Sequence, residues 1–334
     1  MYEKRWDIRM KPAVSVIIPV LNEERFLFQA VSAVLNQQYD SEFEVILALG
    51  PSKDKTNEVA NDLAKDSRVK LINNPSGKTA SALNEAIKAS RFDIIVRLDG
   101  HAIVDKNYLD NAVTTLLETN SDNVGGLMQA EGISNFEKSV AAAMTSKFGV
   151  GNAPFHVGGT PGEVDTVYLG TFRKSALERV GYFDESFVRA QDWELNYRIR
   201  KTGGKIWFNP KLVVSYRPRP NLKALAKQYF EYGQWRKQVT KKYPETISLR
   251  YLAPPITVSG LVTGLIFILL NIFSNISFFN IGWLAIFSYL AVLILGFITI
   301  KGKISLKSRL LLFLVLPTMH LSWGVGFLKP TKRL

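Results

Sequence analysis

The sequence contains no cysteine, and it has no acidic residue after Glu245. The first absence excludes disulfide bonds and cysteine-ligated metal sites, although it does not prove a reducing compartment. The second absence leaves the last 84 residues with seven Lys and Arg, so this region supplies a large part of the net charge of +13. Because these basic residues flank apolar runs, they favour membrane lipids rather than nucleic acid as the anionic partner.

Two common nucleotide-binding motifs are also missing. No Gly-x-Gly-x-x-Gly follows the first predicted strand, which removes the main support for a dinucleotide-dependent oxidoreductase. Gly77-Lys78-Thr79 resembles the end of a phosphate-binding P-loop, but Ile72 stands where that motif has its first glycine. The chain therefore lacks a complete sequence signature for either class.

What the chain has in excess is apolar residues, which make up 47% of it. Each of three long apolar segments could cross the roughly 30 Å hydrocarbon core of a bilayer as a helix. They predict a membrane region at 251–334 with two to three transmembrane helices. The segments are 256–273, 279–300 and 310–328.

The connections between these segments predict an orientation. The first connection, 274–278, is uncharged, whereas the second is strongly basic and should be cytoplasmic. Because 1–11 is polar and charged, no secretory signal is expected, and we predict a multi-pass protein of the plasma membrane with a cytoplasmic N-terminal domain. The basic residues are Lys301, Lys303, Lys307 and Arg309.

The last apolar segment leaves an alternative open. Three full crossings would put Lys329, Lys332 and Arg333 outside, against the same charge rule. Interruption by Pro317, Gly324 and Gly326 would let this segment turn back instead.

Before this region, apolar β-branched runs alternate with helical patterns, which predicts an α/β domain with a mainly parallel sheet and helices on both faces. Such sheets bind ligands at the carboxyl ends of their strands. The predicted strands are 13–20, 43–49, 69–72 and 94–98, and the polar segments at their ends are 19–23, 50–54, 73–78 and 99–101.

Two carboxylates nearly a hundred residues apart stand out. Asp99 follows the strand Ile94–Leu98, at the predicted ligand edge. Asp192 opens a helical pattern that Gly203-Gly204 should close with a left-handed cap. A carboxylate in the first turn of a helix is stabilised as an anion, which is the form that a proton-abstracting base requires.

Six motifs stand in the order found in one known family. On them the chain resembles the inverting family-two glycosyltransferases of the GT-A fold, over about 13–245, and its membrane tail is similar to that of bacterial members of the succinoglycan-synthesis type. We therefore expect a GT-A catalytic domain at 1–220, an amphipathic interfacial helix or linker at 221–250, and the membrane region. The motifs are 16–23, 52–56, 74–78, 99–101, 181–185 and Gln191-Asp192 with Leu195 and Arg198.

The resemblance implies a nucleotide-sugar donor and a divalent cation, Mn²⁺ or Mg²⁺, that offsets charge on the leaving diphosphate. Members usually present Asp-x-Asp, whereas here Asp99 is followed by His101. Both residues are predicted metal ligands, and imidazole favours Mn²⁺. The alternative is a His101 that only hydrogen-bonds the diphosphate.

Asp192 is the predicted base and Glu194 the second candidate. Two residues apart on a helix, they should point about 200° away from each other and should not share one role. Arg198 and Arg200 are expected to be structural or to face the diphosphate. The donor is expected to contact Pro19, Asn22, Glu23, Asp54, Lys78, Asp99 and Arg198.

The nucleotide itself stays undetermined, because Leu49-Gly50-Pro51 replaces the acidic pair that the family commonly carries. Asp54 is either a substitute for that pair or a helix N-cap. Lys78 is either a phosphate contact or a solvated lysine.

The segment 149–170 is rich in Gly and Pro and is predicted to form an acceptor-side lid. Within it, His156 either joins the metal site or makes an ordinary hydrogen bond. Residues 221–243 alternate apolar and basic side chains, as in a helix lying on a membrane surface.

The favoured function is transfer of a sugar to a lipid-linked saccharide or glycolipid at the cytoplasmic membrane face, for exopolysaccharide or cell-envelope glycan synthesis. Two alternatives remain. A non-catalytic sugar-nucleotide-binding scaffold would have no need of a base such as Asp192. A processive polysaccharide synthase is disfavoured because Gln228 and 234–236 do not match the spacing of the Gln-x-x-Arg-Trp motif.

Overall fold

The computed structural model describes residues 11–274, 276–300, 302 and 304–329. Their contacts divide the chain into two compact units, one of 11–129 with 158–216 and one of 130–157 with 217–329. The predicted division at 220 and 250 stays a prediction. Several residues used in the orientation argument lie outside the described residues, namely 1–10, Lys301, Lys303, Lys332 and Arg333.

The first unit contains a nine-stranded sheet in which four strands are parallel, in the order β3-β2-β1-β4, and the order continues with β8-β6-β9-β5. β8 runs antiparallel to β4 and β6, and β9 is antiparallel to β5 and β7. The strands are β1 (Val14–Val20), β2 (Phe43–Leu49), β3 (Val69–Asn73), β4 (Ile94–Arg97), β5 (Ile103–Val104), β6 (Asn123–Ala130), β7 (Gly162–Glu163), β8 (Tyr168–Arg173) and β9 (Ile206–Tyr216).

Helices follow the parallel strands, as the alternating sequence pattern predicts. Helices α1 to α4 belong to the first unit, α5 to α7 to the second, α8 and α9 to the first, and α10 to α14 to the second. They are α1 (Leu27–Leu35), α2 (Thr56–Leu63), α3 (Thr79–Ala89), α4 (Tyr108–Glu118), α5 (Asn135–Met144), α6 (Lys147–Val150), α7 (Pro154–Val157), α8 (Lys174–Val180), α9 (Gln191–Lys201), α10 (Leu222–Lys242), α11 (Leu249–Ser274), α12 (Gly282–Thr299), α13 (Leu306–Leu310) and α14 (Leu312–Leu328), with short 3₁₀ helices at Pro244–Thr246 and Ser277–Ile281.

The core of the first unit explains why its strands are so apolar. Val16 and Ile18 of β1 pack with Leu27 and Val31 of α1 in one large cluster. Ile17 lies between them in the strand and is also fully buried. Successive strand residues point to opposite faces, so both faces of the sheet are covered here and no polar alternation is needed.

The second unit is helical and holds three helical segments long and apolar enough to cross a membrane. These are Leu249–Ser274, Ser277–Thr299 and Leu306–Leu328, with mean hydropathies of 2.3, 2.4 and 1.7. Helix α14 continues through Pro317 to Leu328. Its length therefore permits a third crossing, and Pro317 does not end the helix.

Helix α10 packs closely against α14. A Cβ added at Gly233 would lie 2.0 Å from the carbonyl oxygen of Trp323, and one added at Gly326 would lie 2.1 Å from that of Phe230. Only glycine permits such close backbone contact, as at many helix interfaces in membranes. The glycines of α14 therefore serve packing.

The central segment 130–157 belongs to this second unit. Helix α5 begins with a capping box formed by Ser134 and Glu137. Asn135 Oδ1 accepts hydrogen bonds from the hydroxyls of Ser305 and Ser308, both at 3.0 Å. These contacts join residues far apart in sequence.

Candidate functional site

The site is organised around Arg97, the last residue of β4. Its Nη2 donates a hydrogen bond to Asp99 Oδ1 at 3.0 Å, and its Nη1 bonds Asp192 Oδ1. One buried guanidinium thus joins the end of β4 to the start of α9. The structure brings together the two carboxylates that the sequence singled out.

Local backbone geometry places Asp192. Ala190 adopts a left-handed conformation with φ of 61°, and α9 starts at the next residue. Asp192 therefore falls in the first turn, as predicted. The side chains of Asp192 and Asp99 are 31% and 23% exposed, whereas that of Arg97 is 5% exposed. The carboxylates are thus accessible and their cationic partner is buried beneath them.

His101 pairs with a residue from another loop. Its Nδ1 lies 2.8 Å from Glu23 Oε1, and the backbone N–H of Glu23 donates to Thr56 Oγ1 at 2.7 Å. A Cβ added at Gly100 would lie 3.0 Å from Glu23 Cγ, so glycine permits this approach. The pair links the loop after β4 to the loop after β1.

The loops after β1 and β2 are tied together in turn. Asn22 has a φ of 56°, its N–H donates to Ser52 Oγ at 3.0 Å, and its Oδ1 accepts from Lys53 N–H at 2.8 Å. Asparagine tolerates this left-handed conformation better than most residues. Asn22 therefore shapes the predicted donor crevice through its side chain.

The Asp54 carboxylate is hydrogen-bonded within the same loops. Its carboxylate accepts from the Thr56 hydroxyl at 2.5 Å, from the Thr56 N–H at 3.1 Å and from the Glu24 N–H at 3.3 Å. The Thr56 hydroxyl bond is the main cause that lowers the pKa of Asp54. This arrangement favours the helix-capping alternative over a nucleotide-reading role.

Lys78 and Pro19 lie at other points of this edge. Lys78 is exposed and precedes α3, with its N–H donating to Ser76 Oγ at 3.1 Å. Pro19 is half-buried near the end of β1. Both lie at the carboxyl ends of parallel strands or directly after them, and their contacts to a donor stay predictions.

Glu194 and Arg198 form a buried pair instead of facing a crevice. Glu194 is fully buried, and Arg198 Nε and Nη2 donate to its carboxylate at 2.7 to 2.9 Å. Arg198 also donates to the carbonyls of Val180 and Tyr182. The pair holds α9 against the turn after α8, which favours structural roles over those of second base and diphosphate contact.

Arg200, near the end of α9, is also held by contacts within the protein. Arg200 Nη1 lies 3.0 Å from Asp165 Oδ1. Gly203 has a φ of 81°, and its N–H bonds the carbonyl of Arg200 at 2.9 Å, which gives the predicted left-handed end. These contacts also favour the structural role for Arg200.

Among the described residues, no three His, Asp or Glu side chains cluster as a metal site. Asp99 and His101 nonetheless follow each other closely at the ligand edge, and both side chains are partly exposed. A carboxylate with an imidazole is a donor set that suits Mn²⁺ or another divalent transition metal. A cation held by these two side chains would need further oxygens to complete its coordination.

His156 belongs to the second unit. Its ring lies 4.4 Å from that of Phe155, and burial, followed by the charge of Arg250, lowers its pKa to about 3. Its Nδ1 is buried and has no hydrogen-bond partner within the described chain. Nδ1 of His156 therefore does not make the ordinary hydrogen bond of the second alternative with any described residue.

Sequence reasoning missed the role of Arg97. The signal was a single charged residue inside the run Ile94-Ile95-Val96-Arg97-Leu98, where burial demands a partner. The pairing of Glu23 with His101 carried no such signal, because both residues lie in polar loops.

Comparison with known proteins agrees with this geometry. The family "Glycosyl transferase family 2" matches residues 15–181. The succinoglycan biosynthesis protein ExoA of Rhizobium meliloti is 30% identical over 315 residues, which cover 93% of both chains. The chain belongs to glycosyl transferase family 2. It is a glycosyltransferase, as the motifs predicted.

Two further proteins extend the comparison. A dolichyl N-acetyl-alpha-D-glucosaminyl phosphate 3-beta-D-2,3-diacetamido-2,3-dideoxy-beta-D-glucuronosyltransferase of Methanococcus voltae is 28% identical over 330 residues, 95% of this chain and 96% of the relative. The mannosyltransferase PcManGT of Pyrobaculum calidifontis, solved with GDP-Man and Mn²⁺, superposes with a TM-score of 0.59 at 19% identity, covering 96% and 88% of the two chains. The GT-A fold is thus confirmed, and the relatives from Rhizobium meliloti and Methanococcus voltae are named for succinoglycan biosynthesis and for sugar transfer to a dolichyl-phosphate sugar.

Proposed function

We propose that this glycosyltransferase acts with inversion and moves one sugar from a nucleotide-sugar donor to a lipid-linked saccharide or glycolipid. The observation that carries the proposal is the convergence of Asp99 and Asp192 on Arg97 at the ligand edge of the sheet. The names of the bacterial and archaeal relatives, which refer to succinoglycan and to a dolichyl-phosphate sugar, support a glycan or lipid-linked acceptor.

Asp192 is the base in this proposal. Its Oδ1 is held by Arg97, which leaves Oδ2 to take the proton of the acceptor hydroxyl. The acceptor oxygen forms a bond to the anomeric carbon as the bond from that carbon to the diphosphate oxygen breaks. A single displacement of this kind inverts the anomeric configuration, and the nucleoside diphosphate leaves.

Asp99 and His101 would hold the divalent cation. Such a cation supplies positive charge against the leaving diphosphate. Because only two protein side chains are at hand, diphosphate oxygens would complete the coordination, as hard cations prefer. Glu23 fixes the imidazole of His101 and so orients its other ring nitrogen.

The three apolar helices would place the protein in the plasma membrane as a multi-pass protein with a cytoplasmic first unit. Lys307 and Arg309 lie in the first turn of the last candidate span, and the positive-inside rule puts that end in the cytoplasm. Nucleotide sugars are cytoplasmic metabolites, so the orientation suits the donor. Accessibility of a cysteine introduced at Lys307 in intact cells and in inverted vesicles would test it, and labelling from outside the cell would contradict it.

The proposal is tested with the full-length protein, a panel of nucleotide sugars and Mn²⁺ or Mg²⁺. Removal of a general base costs about 10²- to 10⁴-fold in rate, so Asp192→Asn should lose transfer by this factor while donor affinity survives. Asp66→Asn, which removes another aspartate paired with an arginine and equally exposed, is the matched control and should stay active. Unchanged transfer by Asp192→Asn would refute the base assignment.

The same assay separates the alternatives. A non-catalytic scaffold would bind a nucleotide sugar and release no nucleoside diphosphate with any acceptor. A processive synthase would give long products from one donor, whereas the proposal expects addition of a single sugar.

A further inference from the structure

The second unit contains a large cavity of about 830 Å³ that the chemistry above does not use. All the residues that line it belong to 130–157 or 217–329, so the cavity lies within one compact unit. Its walls come from the segment around α6, from α10, and from the three candidate spans. It is large enough to hold a sizeable organic ligand.

One end of this cavity is cationic and polar. Lys147, Arg250 and His156 line it, and a Cβ added at Gly151 would lie 3.1 Å from Arg250 Nε, so Arg250 packs directly against the segment after α6. Arg250 is also close enough to His156 to lower the pKa of the imidazole. The buried Nδ1 of His156, without a partner in the described residues, adds a polar atom that a ligand could satisfy.

Among the described residues that line the cavity, none is acidic. Two cations without a carboxylate leave this end with an uncompensated charge, and such charge favours an anion. A singly charged phosphodiester would match it only in part, whereas a phosphomonoester or a diphosphate carries the further negative charge that two cations can balance.

The other end is apolar and lies within the candidate spans. Along α11 the lining runs from Arg250 to Gly260 and Leu261, which is about 15 Å of helix at 1.5 Å per residue. Ala285 and Val292 of α12 face the same space. An added Cβ at Gly260 would meet no atom within 4 Å, so this wall is open to a ligand.

We infer that this cavity binds the phosphorylated end of a polyprenyl lipid, with the phosphate at Lys147, Arg250 and His156 and the isoprenoid chain along α11 and α12. The inference rests on the proposed function, since it identifies the lipid that carries the acceptor sugar. A sugar joined to the lipid through a single phosphate would make a phosphodiester, so charge selects a diphosphate as the link between the polyprenyl chain and the acceptor sugar. The length of the apolar arm selects a lipid over free phosphate.

The test uses full-length protein in detergent and measures binding of farnesyl phosphate by native mass spectrometry and by thermal shift. Loss of a charged hydrogen-bond donor should weaken binding about tenfold or more in Arg250→Gln. Lys307→Gln removes a membrane-flanking charge that does not line the cavity and should bind as the parent does.

A second pair of variants tests the apolar arm. Gly260→Leu should fill open space and weaken farnesyl phosphate binding several-fold, whereas Val262→Leu, on the exposed side of the same helix, should not. If Arg250→Gln does not fold, as judged by size-exclusion chromatography, farnesyl phosphate binding is compared in Gly260→Leu and Lys147→Gln instead. Both variants should then bind farnesyl phosphate more weakly than the parent protein.

Three outcomes would overturn the inference: unchanged binding in Arg250→Gln, Lys147→Gln and Gly260→Leu, equal binding of phosphatidylglycerol, or displacement of farnesyl phosphate by inorganic phosphate at similar concentration. Donor binding and metal-dependent nucleoside diphosphate release, measured on the same variants, report on the first unit. If donor binding fails in the parent protein while farnesyl phosphate still binds, the proposed function fails and the lipid site stands. If transfer succeeds in Gly260→Leu and its affinity for farnesyl phosphate is unchanged, the proposed function stands and the lipid site fails.

Discussion

The first unit and the part of the second unit after Glu245 differ in how their charges are balanced. In the first unit, cations are matched by carboxylates, as where Arg97 meets Asp99 and Asp192 or where Arg198 meets Glu194. After Glu245 the chain of the second unit has no carboxylate side chain. There Arg309 Nη1 donates to the carbonyls of Phe297 and Ile300 at 3.0 and 3.2 Å.

This difference indicates where each unit obtains its negative charge. The first unit carries its own carboxylates, so under the proposed function it would need a cation to bind a diphosphate. Before Glu245 the second unit also pairs its cations with carboxylates, as where Arg217 meets Glu137. After Glu245 it carries cations and helix-end carbonyls, so an anion that compensates these cations would come from lipid or ligand. Substitutions that remove a charge should therefore affect catalysis or folding in the first unit and lipid binding in the part of the second unit after Glu245.

The largest effect should follow from Asp99→Asn. An amide is a weaker ligand than a carboxylate for a hard cation, and we expect transfer to fall by about 10²-fold or more. Excess Mn²⁺ should restore part of the activity. The measurement is kcat/KM as a function of Mn²⁺ and Mg²⁺, with Asp66→Asn as control. Metal-independent activity equal to that of the parent would contradict a metal role for Asp99.

A smaller effect, on stability, should follow from Glu194→Gln. Removing one partner of a buried ion pair leaves Arg198 without its countercharge, which costs on the order of 3 kcal/mol. Thermal unfolding should shift down by several degrees. Below that temperature donor affinity should be unchanged, because the pair contacts the turn after α8. A loss of donor affinity without loss of stability would instead restore a role for this pair at the diphosphate.

The smallest expected effect is a dependence of stability on pH, and it comes from His156 in the second unit. Burial and then Arg250 lower the pKa of His156 to about 3 in the folded protein, against an ordinary value of 6.5. The unfolded chain takes up a proton below about pH 6.5 and the folded chain does not, so stability is full above that pH and is lost as the pH falls towards 3. Thermal unfolding between pH 7 and 4.5 should show this slope.

The matched variant is His156→Asn, which cannot titrate and should flatten that slope. An equal slope in the variant would assign the pH dependence to other groups. Glu44 in the first unit is another group whose pKa is lowered in the folded protein. Burial raises the pKa of Glu44, but hydrogen bonds from Arg91 and Ser15 outweigh that effect. Its contribution is lost only at more acidic pH.

Local pattern predicted much of the first unit. β2 occurs with the predicted bounds, because an apolar strand is a local signal. The sequence also singled out Asp99 and Asp192, which the structure brings together on Arg97, and their roles stay predictions. It could not identify Arg97 as the group that joins them, since that contact spans 95 residues and depends on how α9 approaches β4.

The second unit was harder to predict for the same reason. Hydropathy located the three candidate spans, because length and composition are sufficient for that. The contacts of α5 within the second unit had no sequence signal, since α5 looks like one more helix of an α/β pattern. Its partners, Ser305 and Ser308, lie about 170 residues later, and no local signal connects them to Asn135.

This arrangement of α5 limits how the protein can be dissected. The chain leaves the first unit at residue 130, returns at 158, and leaves again after Tyr216. A truncation before α11 would remove the candidate membrane spans, but it would also leave α5 without α13 and α14. The same truncation would expose buried residues of α10, among them Leu225, Tyr229 and Val239. A soluble catalytic fragment therefore requires an internal deletion as well as a C-terminal cut.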